Sequence, residues 1–105
     1  MSVDWGYVNV SNKSGYVGTF LVTCDVEEVT LKFDWGGGFP ADQSRTTRIP
    51  GSATNISIDF HCYVIAHHTR HIATETFTDI SSWNNGSISY EMTGATVDPH
   101  VHQTS

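Results

Sequence analysis

The stretch at residues 55–71, "NISIDFHCYVIAHHTRH", decides how the rest of the chain is read. Its first six residues put Ile56, Ile58 and Phe60 at every second position, with Ser57 and Asp59 between them. Successive side chains of a strand point to opposite faces, so this alternation predicts a half-buried β-strand. The remainder, residues 61–71, is of another kind: it holds four of the six histidines together with Cys62 and Arg70. On residue types alone it is a metal site, a Cys/His nucleophile, or a polar loop with a different task.

The same period of two recurs elsewhere. "VTLKFDW" sets Val29, Leu31, Phe33 and Trp35 against Thr30, Lys32 and Asp34, and "ISYEM" sets Ile88, Tyr90 and Met92 on one face. "GYVGTFLVTC" is apolar on both faces, as a strand covered on each side requires. No stretch longer than a turn repeats at 3.6 residues, and "NKSG", "GGGFPADQS", "PGSA", "WNNGS" and "GATVDP" supply turn signals between the strands. Short strands with frequent turns predict an all-β fold, a single antiparallel β-sandwich or barrel over residues 1–105. The glycine run 36–38 lacks the Lys-Ser/Thr of a phosphate loop and reads as a bend between strands.

At 105 residues the chain is long enough to fold as one domain, burying somewhat under roughly two-thirds of its unfolded surface. Apolar residues make up 38%, and no run approaches the roughly 18 apolar residues of a membrane-spanning helix. The opening "MSVDWGYVNV" has no basic segment followed by an apolar one, so no secretory leader is visible; the expectation is a cytosolic chain or one that has lost its leader. The net charge of −6 leaves Lys13, Lys32, Arg45, Arg48 and Arg70 as the only fixed cations. Phosphate backbones call for a basic stripe, so nucleic acid is excluded as the expected partner.

Metal is weighed through His67 and His71, spaced i, i+4, and His100 and His102, which alternate on one side of a short strand pattern. Zinc takes three or four N, S or O ligands in tetrahedral array, and Cys62 could join such a set. The i, i+4 spacing serves a metal only on a helix, and the surroundings read as strand and loop, so solvated histidines are the expectation and no cofactor is assigned. A nucleophile built from Cys62 with His61 or His67 needs hydrogen-bond reach and a third orienting group, which adjacency in sequence does not supply. The chain is therefore not read as an enzyme. Cys24 and Cys62 are either a buried bridge or two free thiols. Trp83, in a turn, reads as the exposed tryptophan available to a sugar or partner.

The order of several short segments adds a further reading. "KSGYVGTF", "IPGSATNISI", the eleven residues 61–71 with Cys second and Ala sixth, and "GATVDPHV" resemble, in that order, the C-terminal membrane-recognition domain of the thiol-activated, cholesterol-dependent cytolysins. That family reads approximately "SGAYVAQ", "IP…RNLSV", "ECTGLAWEWWR" and "GTTLYP" there. The resemblance covers roughly residues 8–102 and implies an elongated β-sandwich whose functional loops cluster at one tip and meet a membrane. The tip would comprise residues 14–16 with Tyr16, 40–42 with Ala41, 61–71, and 94–99. The family's sterol-recognising Thr-Leu pair falls on Thr96 and Val97. Cys62 and Ala66 match the eleven-residue motif, whereas its three tryptophans become His67, Thr69 and Arg70, and its first and last residues become His61 and His71. His68 belongs to the same tip segment.

Tryptophan suits the membrane interface because its ring is apolar while its N–H stays wet; histidine, threonine and arginine gain little from hydrocarbon. The resemblance thus implies surface recognition of a sterol-containing lipid or a cell-surface glycan rather than deep anchoring, and no pore formation by these residues alone. Acid would charge the tip histidines and favour anionic lipid. It also implies free thiols, because Cys24 would lie roughly 26 Å along its strand from the tip at the rise of a strand, against about 6 Å between the Cα atoms of a bridge. The rival readings are a self-associating interaction domain, in effect a homodimer, and a His/Cys metal binder.

Overall fold

The computed structural model describes residues 4–33, 38–65 and 68–105. Among them are eight strands and no helix: β1 (Trp5–Asn12), β2 (Gly18–Val26), β3 (Val29–Phe33), β4 (Ser44–Pro50), β5 (Thr54–Ile65), β6 (His68–Phe77), β7 (Ser87–Ala95) and β8 (Asp98–Gln103). They form two four-stranded sheets, ordered β4-β1-β7-β8 and β3-β2-β5-β6. The molecule is elongated, 41 × 26 × 18 Å, as the cytolysin resemblance implies.

The core lies between the sheets and is built from the alternating sets. Ile56, Ile58 and Phe60 of β5 face inward, as do Ile88, Tyr90 and Met92 of β7, all at 1% exposure or less. Phe20 stands opposite Phe60 and Val22 opposite Ile58 in the β2–β5 register, while Val8 and Val10 of β1 stand beside Ile88 and Tyr90. Rings bridge the two layers, with Phe60 and Tyr90 centred 5.0 Å apart. The inner face is continuous because both sheets present every second side chain to the same space.

Two local expectations, on β2 and on Trp83, are corrected, one is refined, and one lies partly outside the described residues. β2 is not covered on both sides: Phe20, Val22 and Cys24 are buried while Leu21 and Thr23 are half-buried on the open face, because β2 belongs to an outer layer of a two-layer fold. The sandwich is antiparallel at every strand pairing but one: β1 and β7 run parallel, because β7 enters the sheet after crossing from the other layer and runs toward the same end as β1. β3 is described as far as Phe33; Asp34 and Trp35 of the expected strand lie outside the described residues, as do Gly36 and Gly37. Trp83 is 6% exposed rather than open to solvent, because it packs edge-on against Phe77 at 5.5 Å and closes the bottom of the core.

Both thiols are free and buried. Cys62 pairs with Gly18 across the β2–β5 ladder, and Cys24 lies six residues further along β2. That offset is about 20 Å at the rise of a strand, far beyond disulfide reach.

Candidate functional site

The strand directions bring four connections to one end of the sandwich. β1, β3, β5 and β7 run toward it, and β2, β4, β6 and β8 lead away from it. The segments meet through hydrogen bonds. Gly15 N donates to Gly94 O at 3.0 Å, Lys13 N to Met92 O at 2.8 Å, and Asp42 N to Asn12 O at 2.7 Å. Asn12, fully buried, is the hub: its Nδ2 donates to Tyr16 O at 2.7 Å and to Phe39 O at 3.0 Å, while its Oδ1 accepts from Ser14 N at 2.9 Å. A buried amide with each group satisfied fixes the turn after β1 and ties it to the β3–β4 connection.

The eleven residues 61–71 are not a free loop. β5 runs on through His61, Cys62 and Tyr63 to Ile65, and β6 begins at His68, so the segment is the end of a β-hairpin. Ladder pairs link His61 with His71, Cys62 with Arg70 and Tyr63 with Thr69, and the register shifts between Tyr63 and Ile65. Ala66 and His67, the two residues between the strands, lie outside the described residues. The polar composition conceals the strand because its outer face and its far end are solvated.

Alternation in this hairpin separates the proposed Cys/His pair. Cys62 points into the core at 0% exposure, and His61 points outward. Burial pushes the Cys62 thiol up, an effect that the Arg70 guanidinium opposes; the thiolate that a nucleophile needs is disfavoured. His61 and His71 meet on the outer face with ring centres 5.1 Å apart. His71 Nε2 is 2.7 Å from Thr74 Oγ1, and Thr74 Oγ1 donates to Asp59 Oδ1 at 2.6 Å. His100 sits 3.1 Å from Asp98, and His102 sits 3.8 Å from Glu91. Among the described residues no three His, Cys, Asp or Glu side chains converge on a point that could hold a metal; the remaining metal candidate, His67, falls outside them.

His61 is expected to give stability a pH dependence. Burial, reinforced by His71 and partly offset by Asp59, holds His61 below its ordinary value of 6.5. A group whose folded pKa is depressed binds more protons unfolded, so its penalty is absent above the ordinary value and grows as pH falls through it. The melting temperature is expected to drop between pH 7.5 and pH 5, with a smaller drop in His61→Gln. Calorimetry showing the same drop in both proteins would remove His61 as the cause.

The remaining site residues divide by burial. Tyr16 is 5% exposed, and its hydroxyl donates to Thr93 O at 2.9 Å; with Cys62 it braces the end from within and offers no contact surface. Ala41, His68, Arg70 and His71 are exposed, Thr96 is half-buried, and Val97 is 82% exposed. Thr96 and Val97 form the two-residue turn between Ala95 and Asp98. Gly94 precedes it at φ +88, and a Cβ there would lie 2.3 Å from Asp98 O, so only glycine closes this hairpin unstrained. Arg70 Nη1 donates to Thr96 O at 2.8 Å, which joins the β5–β6 hairpin to the β7–β8 turn across the two sheets.

Three exposed aliphatic residues at this end escape the sequence reading: Ile65 at 66%, Val64 at 49% and Val17 at 39%. The signal for the first two was their adjacency, since neighbours on a regular strand cannot both face the core. Val17 reads as interior until Gly18 is seen to begin the strand.

No family model matches the chain, and no curated protein does. Solved structures match the fold. The class they define is one of fold, a two-sheet β-sandwich. The structure of the membrane-binding domain of pneumolysin superposes with a TM-score of 0.70 over 96% of each chain at 16% identity. Listeriolysin O matches with a TM-score of 0.69 at 18% identity, over 95% of this chain and 22% of that one. A disulfide-locked mutant of intermedilysin, solved with human CD59, matches with a TM-score of 0.68 at 18% identity, over 95% of this chain and 24% of the other. The chain thus spans less than a quarter of those two toxins, and at these identities the likeness is one of fold. It agrees with the cytolysin resemblance read from the order of segments.

Proposed function

We propose that this chain is a non-catalytic recognition module that meets a membrane surface with the loop end of its sandwich. The observation that carries the reading is the aliphatic rim at that end: Val97, Ile65, Val64 and Val17 are four of the seven large hydrophobic side chains exposed among the described residues. Concentrated exposed apolar surface marks a contact site, and burying it gains about 25 cal/mol per Å². The fold shared with a toxin membrane-binding domain supports the same reading. The rim is aliphatic, so a sterol-containing lipid surface is favoured over a glycan as its partner. Thr96 and Val97 touch the sterol-bearing layer, and His68, Arg70, His71 and Ala41 border the headgroups. On this reading the module binds the surface without forming a pore by itself.

Flotation with phosphatidylcholine vesicles, with and without cholesterol, tests this beside a glycan array. Capture by the sterol vesicles, without release of an entrapped dye, is expected, and the Thr96→Ala, Val97→Ala double variant should lose it. Retention by neither vesicles nor glycans overturns the reading.

A further inference from the structure

The opposite end of the sandwich carries a cleft of about 500 Å³ between the β4–β5 turn and the segment joining β6 to β7. We propose that this cleft binds a neutral monosaccharide unit, such as the terminal pyranose of a glycan.

The volume falls within the range of about 300–1,000 Å³ typical of small-ligand sites. The walls are held in place by backbone bonds. Ala53 N donates to Pro50 O and Trp83 N to Ile80 O, both at 3.0 Å, and Asn84 and Ser87 exchange two bonds at 3.1 and 3.0 Å. The Asn85-Gly86 turn between them has both residues at positive φ, 53 and 77, the conformation an Asn-Gly pair favours.

The lining sets the ligand class. Ser52, Thr54 and Ser81 offer hydroxyls, Asn85 an amide and Asp79 a carboxylate, whereas Ile80 and Trp83 give an apolar wall. Among the described residues no Lys, Arg or His lines the cleft, so a phosphate, sulfate or sialic-acid carboxylate finds no counter-charge and meets Asp79 instead. A pyranose matches this set: its hydroxyls donate to the carboxylate and exchange with Ser, Thr and Asn, while its C–H face rests on the apolar wall. Asp79 is pre-oriented, since its Oδ1 accepts from Ser81 N at 2.9 Å, and bonds from Ser81 hold its carboxyl below the usual value. The indole of Trp83 is 94% buried, and its Nε1–H has no partner among the described residues. The cleft stands at the far end of a 41 Å axis from Val97, so it depends on no feature of the lipid-facing end.

The test is a ¹⁵N NMR titration of the 105-residue chain with a panel of neutral hexoses, fucose and N-acetylglucosamine at millimolar concentration, beside sialic acid, inorganic phosphate and choline. At least one neutral sugar is expected to shift the Trp83 indole signal and residues 51–54, with sialic acid, phosphate and choline leaving them in place. Asp79→Asn should weaken that binding about tenfold, the loss of one charge-assisted hydrogen bond. Ser52→Phe, at an exposed position that fills the cleft mouth, should abolish it, and Thr96→Ala with Val97→Ala should leave it unchanged. The proposal is overturned if no neutral sugar shifts these signals, if the shifts fall at residues 94–99, if choline or an anion binds instead, or if a folded Ser52→Phe protein binds as well as the parent.

Discussion

Placing aspartate at both Ile65 and Val97 is expected to release the protein from sterol-containing vesicles. Each side chain is mostly solvent-exposed, at 66% and 82%, and belongs to the aliphatic rim of the loop end. Full burial of such a side chain is worth about 1.5–3 kcal/mol, so losing two amounts to roughly a hundredfold or more in partition. The carboxylates add a desolvation cost at the interface that the wild type does not bear. Folding should be unaffected, because surface substitutions usually stay within about 0.5 kcal/mol. Flotation of the folded double variant at wild-type levels would mean that another face binds, and the exposed Trp5 and Tyr7 on the outer face of β1 would be the next to examine.

Phe60→Ala is expected to be the most destabilising single truncation. Phe60 is fully buried in mid-sandwich, with its ring 5.0 Å from Tyr90 and 6.3 Å from Phe20. Removing a buried phenylalanine costs about 3–5 kcal/mol from lost transfer energy and the cavity left behind. Against a domain stability of about 5–15 kcal/mol that is a large share, and at about 4–8 °C per kcal/mol the melting temperature should fall by at least roughly 12 °C. Phe60→Leu, which refills part of the space, should lose less than half as much. A calorimetric shift of only a few degrees for the alanine variant would show that the two layers close around the gap, so that Phe60 is not what holds them together.

The inner face of this protein was readable residue by residue. Ile56, Ile58 and Phe60, and Ile88, Tyr90 and Met92, alternate in the chain and are buried in the structure, because a strand's period of two is a local property. The strands with polar or mixed faces were harder. β4 reads "SRTTRIP" and is mostly exposed at a sheet edge, so little apolar signal marks it. The hairpin end at residues 61–71 looked like a loop because its histidines and arginine dominate the composition, and its strand character is fixed by pairing with β2 and across the hairpin. Trp83 misled for the same reason in reverse: a turn residue normally faces water, yet the chain folds its indole back beneath Phe77.

By itself the sequence determined an all-β chain, the residues that fill its core, and an order of segments resembling a cytolysin recognition domain. Only the tertiary structure decided which side chains are available for contact. It turned Cys62 and Tyr16 inward, set Arg70 against Thr96 O, exposed Val64 and Ile65 beside Val97, and opened a cleft beside Trp83 at the other end. The physical reason is that burial alternates along one strand, whereas a binding surface is assembled from turns far apart in the chain, whose meeting depends on strand direction and register between sheets.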